Sequence, residues 1–159
     1  YDEGVSLIPG SVPFLQKIDS LFQRLIPDSH QKQLNRADEK PHLKIPNTCF
    51  STVTINRNFR TALHRDKGDY IDGFGNLTVI ERGNYHGGYT CFPQFGVAVD
   101  ARSGDFLAMD VHQWHSNTPI YETEEDKAYK IFIKKNDEVL PWKHFNSNMA
   151  ISVEYDLEY

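Results

Sequence analysis

The sequence predicts a mainly β (α+β) fold, an antiparallel sandwich or jelly roll with an N-terminal helix packed on one sheet. Phe, Tyr and Trp make up 13% of the 159 residues, a content typical of packed β-rich cores. Short runs of β-branched and aromatic residues recur about every ten residues, with turn signals and no helices between them. One stretch of helical periodicity precedes these runs, which indicates a helix in front of a β roll.

Residues 1–46 predict a helical support for that roll. Apolar side chains recur at helical spacing from Phe14 to Leu25, and Pro27 ends the pattern. The helix is predicted to open at Ser11 or Val12, which puts Pro13 in the first turn, where a helix tolerates proline. The polar residues 28–46 predict a connector outside the core, with one candidate short helix at 31–37.

Residues 47–159 predict the strands of the roll, and the whole chain, 1–159, is expected to form one domain. From Thr48 the hydrophobic period changes to two or less, and β-branched and aromatic side chains dominate. The predicted strands are residues 48–55, 77–80, 89–92, 95–99, 106–109, 131–133 and 151–155.

Charge and hydropathy exclude two broad classes of protein. The chain has 17 Lys+Arg against 22 Asp+Glu, a net charge of −5 and a pI near 5.8. This balance argues against a broad basic surface that grips nucleic acid nonspecifically, although a local basic groove stays open. No apolar run approaches the ~20 residues of a membrane span, so no membrane association is expected.

The cysteine content and the first residue predict the cellular context. Cys49 and Cys91 are too few for a disulfide framework, so a reducing intracellular compartment, nucleus or cytoplasm, is expected. The chain begins at Tyr1 without an initiator Met or a signal-like stretch, which indicates a processed or excised domain. No obligate protein partner is evident.

Three residues form the best candidate for a metal centre. His64 and Asp66 occupy positions i and i+2, so a strand or its mouth would direct both side chains to one side. A distant strand of the same roll can add His115, with His112 as its rival for that third position. Two imidazoles and one carboxylate on one face of an octahedral ion leave three positions open, which is the facial triad of non-heme Fe(II) oxygenases.

The residues around this pattern resemble the ten-eleven-translocation and base-J-binding (TET/JBP) branch of the Fe(II)/2-oxoglutarate-dependent dioxygenases. The resemblance covers roughly residues 45 to 120, in several blocks that occur in order. The Trp-His-x-Asn-Thr-Pro context favours His115 over His112 as the third ligand. The matching blocks are residues 50–56, 59–69, 73–79, 87–93 and 104–119.

This resemblance implies a cupin-like double-stranded β-helix in which His64, Asp66 and His115 hold Fe(II). It also implies that 2-oxoglutarate and O2 are used to hydroxylate the 5-methyl group of a pyrimidine in DNA. The target base must then be flipped out of the duplex to reach the metal. Asp69 matches a position that contacts the base edge in relatives. A carboxylate there can accept a hydrogen bond from cytosine N4, which favours 5-methylcytosine over thymine.

One position departs from the pattern of the family. Relatives use a basic residue, usually Arg, on the last core strand to pair with the distal carboxylate of 2-oxoglutarate. No Arg follows Arg102 in this chain. If residues 151–155 form that strand, the position falls near Ala150, which cannot bind an anion. If the preceding strand does so, Lys130 is the substitute, and Arg60 is a candidate for the cosubstrate in either case.

Two other functions stay open at this point. An iron oxygenase with the same ligands could act on a peptidyl proline or a small metabolite, or use another reductant such as ascorbate. The acidic net charge favours that alternative. A non-catalytic cupin-like binding module would explain the missing Arg, but the retained set of three ligands opposes it.

Overall fold

A computed structural model of the chain describes residues 2–57, 59–121, 127–134 and 150–154. Helices precede strands in this part of the chain, as the sequence predicts. The helices are α1 (Asp2–Leu25) and α2 (Pro27–Asp38), with short 3-10 turns at Pro41–Leu43 and Pro93–Phe95. The strands are β1 (Thr52–Arg57), β2 (Gly75–Arg82), β3 (His86–Gly87), β4 (Thr90–Phe92), β5 (Val97–Val99), β6 (Phe106–Met109), β7 (Ser116–Asn117), β8 (Ile120–Tyr121), β9 (Lys127–Lys134) and β10 (Ala150–Glu154).

The strands form one large sheet and two small ones, and all of their ladders are antiparallel. The large sheet has the order β10-β1-β9-β2-β6, so its central strands pair across long separations in sequence. The small sheets have the orders β3-β8 and β5-β4-β7. This mainly β architecture with helices at one side confirms the predicted fold class.

The helices pack on the large sheet through the hydrophobic core. Leu15, Ile18 and Phe22 on α1 are buried against Phe50, which precedes β1. The Phe22 and Phe50 rings lie nearly parallel with centroids 6.4 Å apart. Partly buried side chains from β1 and β6 complete the contact, namely Val53, Ile55, Phe106 and Ala108. The predicted packing of an N-terminal helix on one sheet is therefore confirmed.

A buried polar contact ties both helices to the segment before β1. Asp19 Oδ1 accepts a hydrogen bond from the backbone N–H of Cys49 at 2.7 Å and lies 3.1 Å from His30 Nε2. Gln33 is also buried, and its Oε1 accepts the backbone N–H of Phe74 at 3.0 Å. The prediction that residues 28–46 lie outside the core is wrong, because polar side chains of α2 are buried through these hydrogen bonds.

The helix boundaries also differ from the predictions. The first helix begins at Asp2 rather than near residue 11, and Pro9 and Pro13 lie within it. The fixed φ of proline is close to the helical value, so the chain stays helical without the hydrogen bonds that these residues cannot donate. Pro27 follows the end of α1, as predicted, and it also occupies the first turn of α2, where proline is favoured.

The strand predictions hold where a local pattern is strong. The first predicted strand begins later than expected, at Thr52. The next four correspond to β2, β4, β5 and β6, and the last two to β9 and β10. The polar stretch around Pro141 and Trp142 lies outside the described residues. Within the described helices, none is long and apolar enough to cross a bilayer.

Candidate metal centre

His64 and His115 are brought together by a short antiparallel bridge. The backbone N–H of each residue donates to the carbonyl oxygen of the other, with both N···O distances 3.0 Å. Directly opposed residues of an antiparallel pair place their side chains on the same face. The two imidazole centroids are accordingly 4.3 Å apart.

Asp66 completes the cluster from the same segment as His64. Its Oδ1 lies 3.3 Å from His64 Nε2, and its backbone N–H donates to the carbonyl oxygen of Val111 at 3.0 Å. One ligand atom from each of His64, Asp66 and His115 lies within 4.8 Å of the others. The structure therefore brings together the three residues that the sequence predicts as ligands.

Backbone carbonyl groups fix the orientation of both imidazoles. Nδ1 of His64 lies 2.8 Å from the carbonyl oxygen of Ala62, and Nδ1 of His115 lies 2.8 Å from that of Gln113. A carbonyl oxygen only accepts, so each Nδ1 carries the proton and Nε2 is the ligand nitrogen that each ring offers. This arrangement orients metal-binding histidines in general.

The cluster is closed on one side and accessible on the other. His115 is buried, and the centroid of its ring lies 6.5 Å from that of Phe92. The side chains of His64 and Asp66 keep 36% and 19% of their surface exposed. A ligand can therefore approach from the His64 side, whereas the His115 side is supported by packing.

The donor set fits a divalent iron ion. Two neutral imidazole nitrogens and one carboxylate oxygen are the facial set that leaves further positions of an octahedral ion open. Arg65 and Trp114, the neighbours of the two histidines, also contact each other, with the guanidinium carbon 4.8 Å from the ring centroid. This second contact stabilises the bridge that holds the ligands in place.

A second group of potential ligands has a structural role instead. Asp19, His30 and Cys49 also place their donor atoms close together, but they lie in the contact between the helices and the sheet. Burial raises the pKa of the Cys49 thiol, and the Asp19 carboxylate raises it further. A thiol binds metal as the thiolate, so this buried neutral thiol is a poor ligand.

Asp69 and His112 lie beside the cluster and contact each other. Asp69 is buried three residues after Asp66, and its carbonyl oxygen lies 3.2 Å from His112 Nε2. His112 Nδ1 lies 3.1 Å from Asp110 Oδ1. The imidazole of His112 thus bridges two loops and is not part of the group formed by His64, Asp66 and His115, so His115 stays the predicted third ligand.

The two candidates for 2-oxoglutarate lie in different parts of the fold. Arg60 is exposed, and the Asn117 side chain holds the backbone on both sides of it. Asn117 Nδ2 donates to the carbonyl oxygen of Phe59 at 3.0 Å, and its Oδ1 accepts the backbone N–H of Thr61. Lys130 is on β9 of the large sheet, and only its backbone register, opposite Asn56 and Val79, is described.

Asn117 and His112 are residues whose roles sequence reasoning did not identify. Both act on backbone groups of another segment, and such contacts leave no spacing pattern in the sequence. The only signal for Asn117 is its position two residues after His115.

The fold and the site together define a class of protein, the mainly β oxygenases with a two-histidine, one-carboxylate metal centre. The chain belongs to the Tet_JBP family, the oxygenase domain of the 2OGFeDO superfamily, which matches residues 5–135. Membership in this superfamily implies the use of Fe(II), 2-oxoglutarate and O2. The expected TET/JBP resemblance is therefore confirmed.

Several relatives are similar over most of this chain. The "bifunctional helicase and thymine dioxygenase JBP2" of Leishmania infantum is 37% identical over 118 residues, which is 74% of this chain and 10% of that protein. JBP2 of Trypanosoma brucei brucei is 40% identical over 110 residues, 69% of this chain and 10% of that protein. "Thymine dioxygenase JBP1" of Trypanosoma brucei brucei is 32% identical over 117 residues, 74% of this chain and 14% of that protein.

A solved structure supports the double-stranded β-helix fold. NgTET1 in complex with 5mC DNA superposes with a TM-score of 0.61 at 12% sequence identity, covering 77% of this chain and 48% of that one. At this identity the likeness concerns the fold alone. The chain spans about a tenth of the length of the JBP2 relatives, which also carry the name of a helicase.

Proposed function

We propose that this chain is an Fe(II)- and 2-oxoglutarate-dependent dioxygenase that hydroxylates the 5-methyl group of a pyrimidine in DNA. The observation that carries the proposal is the cluster of His64, Asp66 and His115, with both imidazoles fixed through Nδ1. The family relatives named as thymine dioxygenases support DNA as the substrate.

The residues of the chain would hold and orient the reactants. His64 and His115 would bind the metal through Nε2, and Asp66 would bind it through a carboxylate oxygen, which leaves one face of the ion open. Oxidation of the methyl group is the chemistry that Fe(II), O2 and 2-oxoglutarate supply when bound, with decarboxylation of the 2-oxoglutarate. The protein excludes water on the buried His115 side.

Arg60 is the better supported of the two cosubstrate candidates. The Asn117 contacts hold the backbone on both sides of Arg60 against the strand that follows His115. A guanidinium can pair bidentately with the distal carboxylate of 2-oxoglutarate, which the ammonium of Lys130 cannot do. We expect Arg60→Gln to raise the KM for 2-oxoglutarate about 10-fold or more and Lys130→Gln to raise it less. A larger increase in this KM for Lys130→Gln than for Arg60→Gln would mean that Lys130 binds the cosubstrate.

The identity of the base rests on two opposing arguments. Asp69, if it reaches the base edge, favours 5-methylcytosine, because a carboxylate accepts from the N4 amino group and meets only an acceptor at thymine O4. The names of the JBP relatives favour thymine. A DNA substrate of either kind would have to present a flipped base, since the cluster lies in the protein and not on a protruding edge.

Digestion of treated DNA to nucleosides tests the proposal. The protein is incubated with Fe(II), 2-oxoglutarate, O2 and one of two duplexes, which differ only in carrying 5-methylcytosine or cytosine. Mass spectrometry then detects 5-hydroxymethylcytosine in the first duplex and 5-hydroxymethyluracil in either. We expect an oxidised pyrimidine in at least the methylated duplex. Consumption of 2-oxoglutarate with no oxidised pyrimidine would mean that the substrate is a peptide or a metabolite and not DNA.

A further inference from the structure

His112 makes two contacts that only a ring with two N–H groups can satisfy. Its Nδ1 lies 3.1 Å from Asp110 Oδ1, and its Nε2 lies 3.2 Å from the carbonyl oxygen of Asp69. An ionised carboxylate and a carbonyl group both accept and do not donate. A neutral imidazole has one N–H, so it can make only one of these hydrogen bonds, whereas the protonated ring makes both.

The carboxylate of Asp110 is held in its ionised form by its neighbours. Burial alone would raise the pKa of Asp110, but hydrogen bonds from Gln113 and from the backbone and side chain of His112 lower it below its usual value. Asp110 Oδ1 accepts the backbone N–H of His112 at 3.0 Å, and Oδ2 accepts from Gln113 Nε2 at 2.8 Å. Asp110 is therefore a fixed acceptor for His112 Nδ1.

The Nε2 side of the His112 ring contacts the turn that contains Asp66 and Asp69. Asp66 and Asp69 lie on one turn, and the dipeptide Val111-His112 contacts it twice. The carbonyl oxygen of Val111 accepts the Asp66 backbone N–H, and the His112 ring contacts the Asp69 carbonyl oxygen. The first contact joins two backbone groups, and the second depends on the side chain of His112.

We propose that His112 is a positioning residue whose ring holds the backbone of Asp69 and so sets the placement of this residue at the base edge. The role of Asp69 rests on the proposed function. The ring is mostly buried, with 18% of its side chain exposed, so water does not readily replace the lost donor.

Loss of the His112 ring is expected to weaken DNA binding selectively. Without the contact from His112 Nε2, the turn at Asp69 becomes less ordered and DNA binds less well. We expect His112→Gln to raise the KM for methylated DNA about 5-fold to 10-fold, with a smaller change in kcat.

The ratio of the effects on KM and on kcat separates positioning from a general loss of structure, which would lower kcat as well. His42→Gln is the matched control, because His42 is exposed on the 3-10 turn that follows α2. Its KM and kcat should match those of the unaltered protein. An unchanged KM for methylated DNA in His112→Gln, or a loss confined to kcat, would overturn the proposal.

An NMR measurement tests the same contact without any DNA. The chemical shift of the Asp69 carbonyl carbon should differ between the unaltered protein and His112→Gln, because the substitution removes the imidazole that contacts this carbonyl group. The shift in His42→Gln should equal that of the unaltered protein. An identical Asp69 shift in all three proteins refutes the contact. If the shift changes in His112→Gln but no DNA is oxidised by the unaltered protein, the contact stands and the proposed function fails.

Discussion

His64 and His115 show how backbone groups orient two imidazoles of a candidate metal centre. Each imidazole is oriented by a carbonyl oxygen two residues earlier in the chain, at 2.8 Å in both cases. The equal spacing reflects the equal local geometry of the two bridge residues. Each histidine is therefore already in the tautomer that presents Nε2, which would reduce the free-energy cost of binding a metal ion.

The two cysteines are expected to differ sharply in reactivity. Burial, together with Asp19, raises the pKa of the Cys49 thiol, and the residue is fully buried. Because only the thiolate reacts, Cys49 should resist iodoacetamide at pH 8 in the folded protein. Cys91 is only partly buried and should be alkylated first. Peptide mass spectrometry measures both rates.

Denaturant and a single substitution provide the controls for this prediction. In urea both thiols should react at similar rates, because the burial of Cys49 is lost. The variant Cys91→Ser should remain almost unlabelled while it is folded. Equal labelling of both cysteines in the native protein would contradict the burial of Cys49.

At this scale the proximity of His64, Asp66 and His115 could be predicted from the sequence, and the contacts that orient them could not. The His-x-Asp spacing and the residues around His115 indicate the three ligands. The groups that orient them, the carbonyl oxygens of Ala62 and Gln113, occur in every residue and leave no trace in a pattern of side chains. The same reason hid the contact of His112 with Asp69.

Among the structural elements, the contact of the two helices with the sheet depends on one carboxylate. Removal of the Asp19 side chain leaves the backbone N–H of Cys49 buried without its acceptor and removes the carboxylate that lies 3.1 Å from His30 Nε2. We expect Asp19→Ala to lower the free energy of unfolding by about 3 kcal/mol. Urea denaturation followed by circular dichroism measures this loss.

The control is an acidic residue on the other helix. Asp28 is exposed in the first turn of α2, so Asp28→Ala should cost less than about 1 kcal/mol. Similar losses in the two variants would mean that the buried contact does not stabilise the fold.

The small sheet β3-β8 requires a glycine where it joins the segment after His115. Gly87 has a φ of +80°, and a Cβ there would lie 2.0 Å from the carbonyl oxygen of Pro119. We expect Gly87→Ala to lower the free energy of unfolding by at least about 2 kcal/mol, through backbone strain and this clash together. Urea denaturation measures the change.

A variant of Gly96 distinguishes the effect of backbone strain from that of the clash. Its φ is also positive, at +64°, but a Cβ there would meet nothing within 4 Å. Gly96→Ala should therefore lower the free energy of unfolding only through backbone strain, by about 1 kcal/mol. If the two alanine variants lose equal stability, the close approach to Pro119 does not constrain the sheet.

The elements that could be predicted are those with a dense local pattern. Residues 106–109 were predicted as a strand with the bounds that β6 has, and β2 and β4 were also expected. The strands β3, β7 and β8 have two residues each, and their pairing depends on distant partners, so no period could reveal them. The core role of α2 was missed because its buried residues include the polar His30 and Gln33.

For the whole molecule, the acidic net charge limits how DNA can be bound. A chain with a net charge of −5 has no excess of cations to neutralise many phosphates. With DNA as the proposed substrate, the affinity would have to come from local contacts around the cluster of His64, Asp66 and His115 and from the flipped base. The fold accommodates this by placing His64 and Asp66 on the accessible side of the cluster.

The central claim is that the cluster of His64, Asp66 and His115 oxidises a methylated pyrimidine in DNA. The most direct test compares the unaltered protein, Asp66→Ala and His42→Ala, each measured for anaerobic Fe(II) binding and for oxidised nucleosides by mass spectrometry. The unaltered protein and His42→Ala should bind one Fe(II) and form 5-hydroxymethylpyrimidine, whereas Asp66→Ala should lose both properties. Undiminished product in Asp66→Ala, or no oxidised pyrimidine from iron-loaded unaltered protein, would contradict the claim.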